Sequence, residues 1–159
     1  MSNNEQVITR FYTAFSNKDY QGMQSCYADT VVFSDNAFPN LKGNQAKAMW
    51  HMLVNAGKDM QVTFTNVTAN ETIGSADWVA TYSFSLTGNK VVNRIHADFE
   101  FKNGLIVKHT DTFDFWTWAS QAFGLKGRLL GWTPFFKNKI QGVTAERLQA
   151  FIAKNPVYQ

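Results

Sequence analysis

His109 and Asp111 are the residues whose types and spacing best suit chemistry in this 159-residue chain. The odd positions around them are apolar, with Val107 before the pair and Phe113 after it, and side chains alternate between the two faces of a strand. The pattern predicts an imidazole and a carboxylate on a buried strand face, where lost hydration is costly unless each group finds a partner. Polar groups in such a place indicate a working pocket.

His109 and Asp111 are separated by one residue, so their Cα atoms should lie about 6.6 Å apart along a strand. The side chains could lean together or hold a substrate oxygen between them, and the pair could position a base and stabilise an imidazolium. The alternative is that both groups lie near a wet rim and only satisfy each other or the backbone.

Asp35 is a further candidate, because it follows Val31 and Phe33 on the apolar side of a short predicted strand. Burial at this position would raise the pKa of its carboxyl group and let it act as an acid or base near neutral pH. The alternative is that Asp35 caps the turn that starts at Asn36.

The other histidines do not extend this set. His96 falls on a polar strand face and His51 lies off the apolar stripe of its helix. The spacing of histidines and acids is not that of a zinc site, and no glycine-rich nucleotide signature, serine elbow or cysteine nucleophile arrangement is present. We therefore expect chemistry that uses no metal and no cofactor.

Composition favours a single domain with an apolar cavity. Aromatic residues make up 15% of the chain, with 14 Phe and 5 Trp, which is more aromatic surface than a minimal core needs. Cys26 is the only cysteine and suits a small core residue, so no intrachain disulfide can form. The sequence shows no signal-like start and no apolar run of transmembrane length, and we expect a cytoplasmic protein.

Charge is uneven along the chain. Residues 119–159 hold six Lys or Arg against one Glu, and a basic tail of this kind can bind nucleic acid or anionic lipid. Because these charges are spaced out, a solvated helical surface is the favoured interpretation. The sequence-based expectation is therefore no nucleic acid and no membrane partner.

Periodicity predicts helices that precede a sheet. Apolar spacing gives a helix through Val7–Phe15, a short helix capped by Asp19 that includes Tyr27, and a helix from an Asn44 N-cap to Gly57. A short helix near Ala119–Phe123 and a final helix capped by Thr144 are predicted in the C-terminal region.

Alternation predicts strands at 31–35, 61–69, 76–87, 91–102 and 105–117. Asn103-Gly104 is the clearest hairpin signal, because these residues readily take the positive φ angles of a type I′ turn. The connections are too short for parallel crossovers, so the class is α+β with a mainly antiparallel sheet.

Several phrases in this order resemble the nuclear transport factor 2-like superfamily. They are Phe11-Tyr12-Thr-Ala-Phe15 with Asp19, Tyr27-Ala-Asp29, Phe33-Ser-Asp35 and Leu41-Lys-Gly43. Two later stretches are similar to its SnoaL-like and ketosteroid-isomerase-related branch, namely Arg94-Ile-His96-Ala-Asp98-Phe and Lys102-Asn-Gly104-Leu-Ile-Val-Lys-His109-Thr-Asp111.

The resemblance implies a cystatin-like cone, in which a curved sheet wraps over N-terminal helices around a deep pocket. It implies one domain over residues 1–159, with a cone core at 1–118 and a C-terminal helical extension at 119–159. It also implies a homodimer that forms through the sheet face.

The resemblance places functional positions as well. Asp35 falls at the position of the general base of ketosteroid isomerase. The two oxyanion-hole positions of that enzyme are occupied here by Phe11, which is next to Tyr12, and by Ala97. Steroid isomerisation is therefore not expected. Cyclase-like members carry an acid/base aspartate where Asp111 lies. Members similar to limonene epoxide hydrolase use an Asp-Arg-Asp set, but Arg94 lies on the face opposite the inferred pocket.

These observations predict isomerase, cyclase or dehydratase chemistry on a small apolar molecule, with Asp111 as acid/base, His109 as its partner and Asp35 as a second carboxylate. The predicted substrate contacts are Tyr12, Phe11, Trp50, Phe99, Phe113 and Ala97. A noncatalytic carrier or sensor and a protein-interaction module are the alternatives. A cavity of roughly 300 Å³ or more that reaches His109 and Asp111 would separate the first two from the third.

Overall fold

The structure, a computed structural model, describes residues 2–159. The helices are α1 (Asn3–Ser16), α2 (Tyr20–Ser25), α3 (Asn44–Ala56), α4 (Phe115–Phe123), α5 (Leu125–Leu130) and α6 (Pro134–Lys154), and a 3₁₀ turn follows at Pro156–Tyr158. The strands are β1 (Tyr27–Ser34), β2 (Leu41–Lys42), β3 (Gln61–Ala69), β4 (Ile73–Ser83), β5 (Lys90–Lys102) and β6 (Leu105–Thr112).

The six strands form one curved, unclosed sheet in the order β2-β1-β6-β5-β4-β3. Every neighbouring pair is antiparallel except β1 and β6, which are parallel. The predicted α+β class and mainly antiparallel sheet are confirmed. The register of β5 and β6 sets Ala97 opposite Asp111 and Phe99 opposite His109.

Helix α1 lies on the sheet as its periodicity predicts. Ser2 and Glu5 form a capping box, in which the Ser2 side chain accepts from the Glu5 backbone and the Glu5 side chain accepts from the Ser2 backbone. One stripe of the helix is buried, including Phe11, Tyr12 and Phe15. These rings supply much of the core between the helix and the concave face of the sheet.

The hairpin between β5 and β6 has the predicted turn. Asn103 has φ of +53° and Gly104 has φ of +73°, which is the backbone that a type I′ turn requires. Alternation then places Ile95, Ala97 and Phe99 in the core and leaves the polar residues between them exposed. His109 and Asp111 share the buried face of β6, as their positions in the sequence predicted. The predicted alternation fails just before them, where Ile106 is fully buried and Val107 only partly, because the register with β5 shifts at this point.

Three predicted boundaries are wrong in the first part of the chain. Helix α2 ends at Ser25, and Tyr27 opens β1 because that strand pairs with β6 from its first residue. Helix α3 follows Gly43, whose φ of +52° makes the turn into the helix without a side-chain cap from Asn44. Strand β4 ends at Ser83 and not at residue 87.

Two further predictions fail near the C-terminus. Strand β6 stops at Thr112 because the Asp114 side chain accepts from the Thr117 backbone at 3.0 Å and starts α4. Thr144 is not an N-cap, since α6 runs unbroken through 21 residues from a cap at Thr133. Ile140 and Leu148 are both buried, and this packing outweighs the low helix propensity of the glycine between them.

Thr144 instead ties α6 to the loop after β1. Its hydroxyl donates to the Ala37 carbonyl at 2.7 Å, and the Gln141 amide donates to the Asn36 carbonyl at 3.0 Å. These contacts hold α6 beside the loop that carries Asp35. No helix within residues 2–159 is both long and apolar enough to span a bilayer.

Candidate active site

His109 and Asp111 belong to a buried chain of hydrogen bonds. The Nε2 atom of His109 lies 3.0 Å from Oδ1 of Asp111, and its Nδ1 atom lies 2.7 Å from the Tyr27 hydroxyl. The indole N–H of Trp50 donates to the same hydroxyl at 2.8 Å. His109 is fully buried and Asp111 is 3% exposed, so water contributes little to these contacts.

The partners of His109 favour one arrangement of protons. The Tyr27 oxygen accepts from Trp50, and within residues 2–159 Nδ1 of His109 is the acceptor that the Tyr27 hydroxyl proton can reach. A neutral imidazole in this arrangement carries its proton on Nε2 and donates it to Asp111. Burial raises the pKa of Tyr27 well above its ordinary value, and the charge of Asp111 acts in the same direction, so Tyr27 keeps its proton.

Asp111 has a second donor on the same oxygen. The indole N–H of Trp78, on β4, lies 3.3 Å from Oδ1. Within residues 2–159 no donor makes a hydrogen bond to Oδ2 of Asp111. One carboxylate oxygen is therefore held by two side chains while the other has no protein partner.

A cavity of about 210 Å³ lies against this carboxylate. Most of its lining is apolar or aromatic, and α3, β4, β5, α4 and α6 all contribute to it. The lining includes Trp50, Trp78, Tyr82, Phe113, Trp118 and Ile140. The cavity reaches Asp111 but not His109, and it is smaller than the roughly 300 Å³ expected of a ligand pocket. This criterion therefore does not separate small-molecule binding from a protein-interaction module.

Asp35 lines the same cavity from the end of β1. Its Oδ1 atom accepts from the backbone N–H of Ala37 at 2.7 Å and of Phe38 at 2.6 Å, so it does cap the turn. Burial raises the pKa of Asp35 to about 7, with a further increase from the charge of Asp111 that the two N–H donors and Lys137 oppose. Asp35 therefore both caps the turn and presents a titratable carboxyl group to the cavity.

The predicted substrate-contact residues divide into two groups. Trp50 and Phe113 line the cavity. Phe11, Tyr12, Ala97 and Phe99 are buried in the core and do not line it. The difference arises because α1 lies directly on the sheet, so that these side chains fill the space between the two layers.

Phe11 and Phe99 instead surround His109. Their ring centroids lie 5.4 Å and 4.4 Å from the imidazole centroid. Tyr12 is fully buried, and its hydroxyl is the one buried side-chain polar atom in residues 2–159 without a hydrogen-bond partner. Burial, and to a lesser extent the charge of Asp111, raises the pKa of Tyr12 well above its ordinary value.

Four further aromatic residues at or beside the site were not predicted as site residues. Tyr27 and Trp78 bond directly to the His109–Asp111 pair, and the Trp118 indole donates to the Tyr82 hydroxyl at 2.9 Å beside the cavity. Trp78 and Tyr82 were identified only as an apolar strand face. Alternation gives the face of a residue but does not show which group its N–H or O–H will reach.

Helix α6 supplies a cavity wall that was not predicted from the sequence. Ile140, Val143, Thr144 and Arg147 all line the cavity. Their spacing of three and four residues along one helix face was the available signal. Arg147 is exposed and forms no ion pair within residues 2–159, so its guanidinium is the free cation at this wall.

The other histidines lie away from the cavity. His96 is half-exposed, and Asp77 at 2.7 Å raises its pKa by accepting a hydrogen bond. His51 stacks on Tyr20, and its Nδ1 atom lies 2.9 Å from the Tyr158 hydroxyl. Within residues 2–159 no three His, Cys, Asp or Glu side chains converge as they would around a metal ion.

The chain belongs to the SnoaL-like domain family, whose pattern matches residues 8–109. That match contains β1 to β5 and most of β6, and it stops before Asp111 and helices α4 to α6. The resemblance to SnoaL-like and nuclear transport factor 2-like proteins that the sequence phrases indicated is confirmed. No curated protein matches the chain.

Solved structures share this fold at low identity. A proposed polyketide cyclase from Xanthomonas campestris pv. campestris is 22% identical over 76% of this chain and 96% of its own, with a TM-score of 0.64. A proposed SnoaL-like polyketide cyclase from Jannaschia sp. CCS1 is 14% identical over 77% and 92%, with a TM-score of 0.67. An LEH-like epoxide hydrolase from M. tuberculosis is 17% identical over 81% of this chain and 91% of its own, with a TM-score of 0.59.

Proposed function

We propose that the protein binds a small, largely apolar molecule in this cavity and performs acid/base chemistry on it without a cofactor, as an isomerase, cyclase or dehydratase. The observation that carries the proposal is that Asp35 and Asp111 line one apolar cavity while Asp35 has a pKa of about 7. Two carboxyl groups in different environments can divide the roles of acid and base between them.

The hydrogen bonds suggest how the roles divide. Asp111 is held through Oδ1 by His109 and Trp78, and its free Oδ2 can take a proton from a carbon next to a carbonyl group. The electron pair of the broken C–H bond moves onto the carbonyl oxygen as an enolate. Asp35, whose pKa of about 7 leaves a protonated form available near neutral pH, can donate a hydrogen bond to that oxygen. Return of the proton to another carbon completes an isomerisation, and loss of a leaving group completes an elimination.

His109 does not touch the cavity, so its proposed role is to position Asp111. Arg147 and Thr144 at the α6 wall could bind a polar end of the molecule while the aromatic side chains enclose its apolar part. The shared fold with proteins described as polyketide cyclases and an epoxide hydrolase is consistent with this class of chemistry.

Noncatalytic binding of a small molecule is the second candidate. It is favoured by the fact that Oδ1 of each carboxylate already serves the protein, in the turn after β1 and in the His109–Trp78 bonds. In that case the cavity would hold and orient a ligand without breaking a bond. Assembly as a homodimer through the sheet face is proposed for either function.

Exchange of carbon-bound protons tests the proposal without knowledge of the substrate. We would incubate the protein in D₂O with a panel of cyclic ketones and 1,3-dicarbonyl compounds and follow deuterium incorporation next to the carbonyl by NMR. The wild-type chain should accelerate exchange for at least one compound, and Asp111→Asn should abolish it.

Asp98→Asn is the matched control, because Asp98 lies on the exposed face of the sheet. It should exchange protons at the wild-type rate. Thermal-shift binding by the wild type and Asp111→Asn alike, with no exchange by either, would instead establish the carrier function.

A further inference from the structure

An exposed apolar surface lies at the C-terminal end of the fold, outside the cavity and outside the matched family region. We call it the C-terminal patch, and its six large side chains are Trp116, Leu125, Leu129, Leu130, Trp132 and Phe135. Trp132 is 71% exposed and Phe135 is 75% exposed, so these rings have almost no intramolecular cover. Grouped exposure of this kind marks an interaction surface.

Two indole hydrogen bonds connect parts of the patch. The Trp116 indole donates to the Arg128 carbonyl at 3.0 Å, and the Trp132 indole donates to the Leu129 carbonyl at 3.0 Å. Both indole N–H groups are therefore satisfied by backbone while the rings stay exposed. At Gly127 the backbone of α5 comes so close to the Ala119 carbonyl that a Cβ would lie 1.8 Å from that oxygen, which fixes α5 against α4.

The exposed charges beside the patch are cationic. Lys126, Arg128 and Lys139 are exposed, and residues 115–145 contain no Asp or Glu. Within residues 2–159 none of these three cations forms an ion pair. Lys137, the fourth cation of this stretch, is partly buried and its charge acts on Asp35. A surface that presents Trp, Phe and Leu beside unpaired Lys and Arg has the composition of segments that lie in the interface of an anionic bilayer.

We propose that the C-terminal patch docks the protein on the surface of an anionic lipid membrane. The two tryptophans would lie at headgroup depth, the leucines and Phe135 would enter the acyl boundary, and the cations would face lipid phosphates. The contact is peripheral, since no helix of residues 2–159 is able to span the bilayer. Membrane docking differs from the expectation from sequence, which was that the protein has no membrane partner. The basic residues are visible in the sequence, but the exposure of apolar side chains beside them is visible only in the structure.

Other occupants fit the patch less well. In a symmetric dimer the same surface meets itself, so the three exposed cations of each copy would face those of the other copy. Single-stranded nucleic acid is bound by stacking on rings, and three of the six side chains are leucines, which offer none. The predicted homodimer surface, a face of the sheet, is separate and stays available.

The patch also adjoins the cavity along α6. Phe135, Lys139 and Val143 follow one another at four-residue spacing on one side of this helix, and Val143 is both 37% exposed and part of the cavity lining. An apolar molecule dissolved in the membrane would thus have a short path to the cavity. The docking itself does not depend on the cavity being catalytic.

Co-sedimentation of the full chain with vesicles tests the proposal. Vesicles of phosphatidylcholine with one third phosphatidylglycerol should pellet the protein at low salt, whereas pure phosphatidylcholine vesicles should pellet far less. Lys126→Gln/Arg128→Gln/Lys139→Gln should lower the partition coefficient on anionic vesicles about a hundredfold, from roughly fivefold per cation. Trp132→Ser/Phe135→Ser should remove the binding that persists at high salt.

The matched control is Ile73→Ser/Lys90→Gln/Lys102→Gln, which removes an exposed apolar side chain and two exposed lysines outside the patch. It should bind as the wild type does. Equal loss of binding in this control, or no binding of the wild type to anionic vesicles, would overturn the proposal. A dimer on gel filtration that Trp132→Ser/Phe135→Ser converts to a monomer would assign the patch to a second copy and overturn it as well.

Discussion

The Nε2 atom of His109 lies 3.0 Å from Oδ1 of Asp111, and the pair is almost completely closed to solvent. The two residues nevertheless have different surroundings, because only Asp111 reaches the cavity. His109 is enclosed by aromatic rings and bonded on its other side to Tyr27. The packed core therefore holds His109 in place, and His109 in turn holds the Asp111 carboxylate at the cavity wall.

Removal of His109 should cost stability as well as activity. His109→Ala leaves a void among aromatic rings and deprives the Tyr27 hydroxyl and Asp111 of partners, so the free energy of unfolding should fall by about 2–4 kcal/mol. Urea unfolding measures this loss. His96→Ala, on the exposed strand face, should change stability by no more than about 0.5 kcal/mol. An equally small effect at both positions would show that the buried chain of hydrogen bonds does not support the core.

Asp35 should make the protein less stable as the pH rises. Its folded pKa is about 7, above the ordinary unfolded value near 3.9, so between these pH values the folded state binds more protons than the unfolded state. Stability is then highest below pH 4 with respect to this group and falls as the pH rises towards 7. Asp35→Asn keeps an oxygen for the Ala37 and Phe38 N–H groups and should be more stable than the wild type at pH 8, by about 1–3 kcal/mol.

Unfolding in urea at several pH values, with NMR titration of the Asp35 carboxyl, measures that effect. The same titration bears on activity, since proton exchange that needs protonated Asp35 should decline as the pH rises through 7. A carboxyl that titrates near its ordinary value, or a wild type whose stability relative to Asp35→Asn does not change between pH 4 and pH 8, would contradict the predicted burial of this group.

Two tyrosines should respond to loss of their hydroxyl in opposite directions. Tyr27→Phe leaves the Trp50 N–H and Nδ1 of His109 without their partner and should cost about 1–3 kcal/mol. Tyr12→Phe removes a buried hydroxyl that has no partner and should be neutral or stabilising by about 1 kcal/mol. Thermal and urea unfolding of the two variants side by side measure the difference. A destabilised Tyr12→Phe would mean that this hydroxyl has a bonding partner in solution.

Features of the fold and of the candidate site could be predicted from the sequence where the contacting residues are close together along the chain. The buried face of β6, the hairpin at Asn103-Gly104 and the cap at Asp19 follow from neighbours along the chain, and all three are present. The Asp111 cavity wall is different, because it needs Trp78 from β4 and Arg147 from α6, and no local pattern pairs residues so far apart. Long-range packing also overrode local preference at Gly142, which does not interrupt α6.

Two glycines in helices should have opposite effects when they are replaced by alanine. A Cβ at Gly127 would lie 1.8 Å from the Ala119 carbonyl oxygen, so Gly127→Ala must push α5 away from α4 and should cost about 1–3 kcal/mol. A Cβ at Gly142 meets nothing within 4 Å, and Gly142→Ala should stabilise α6 by about 0.5–1 kcal/mol through its better helix propensity. Because the two variants carry the same chemical change in a helix, their difference isolates the close approach at Gly127. Urea unfolding measures both free energies, and stabilisation by Gly127→Ala would show that α5 is free to separate from α4.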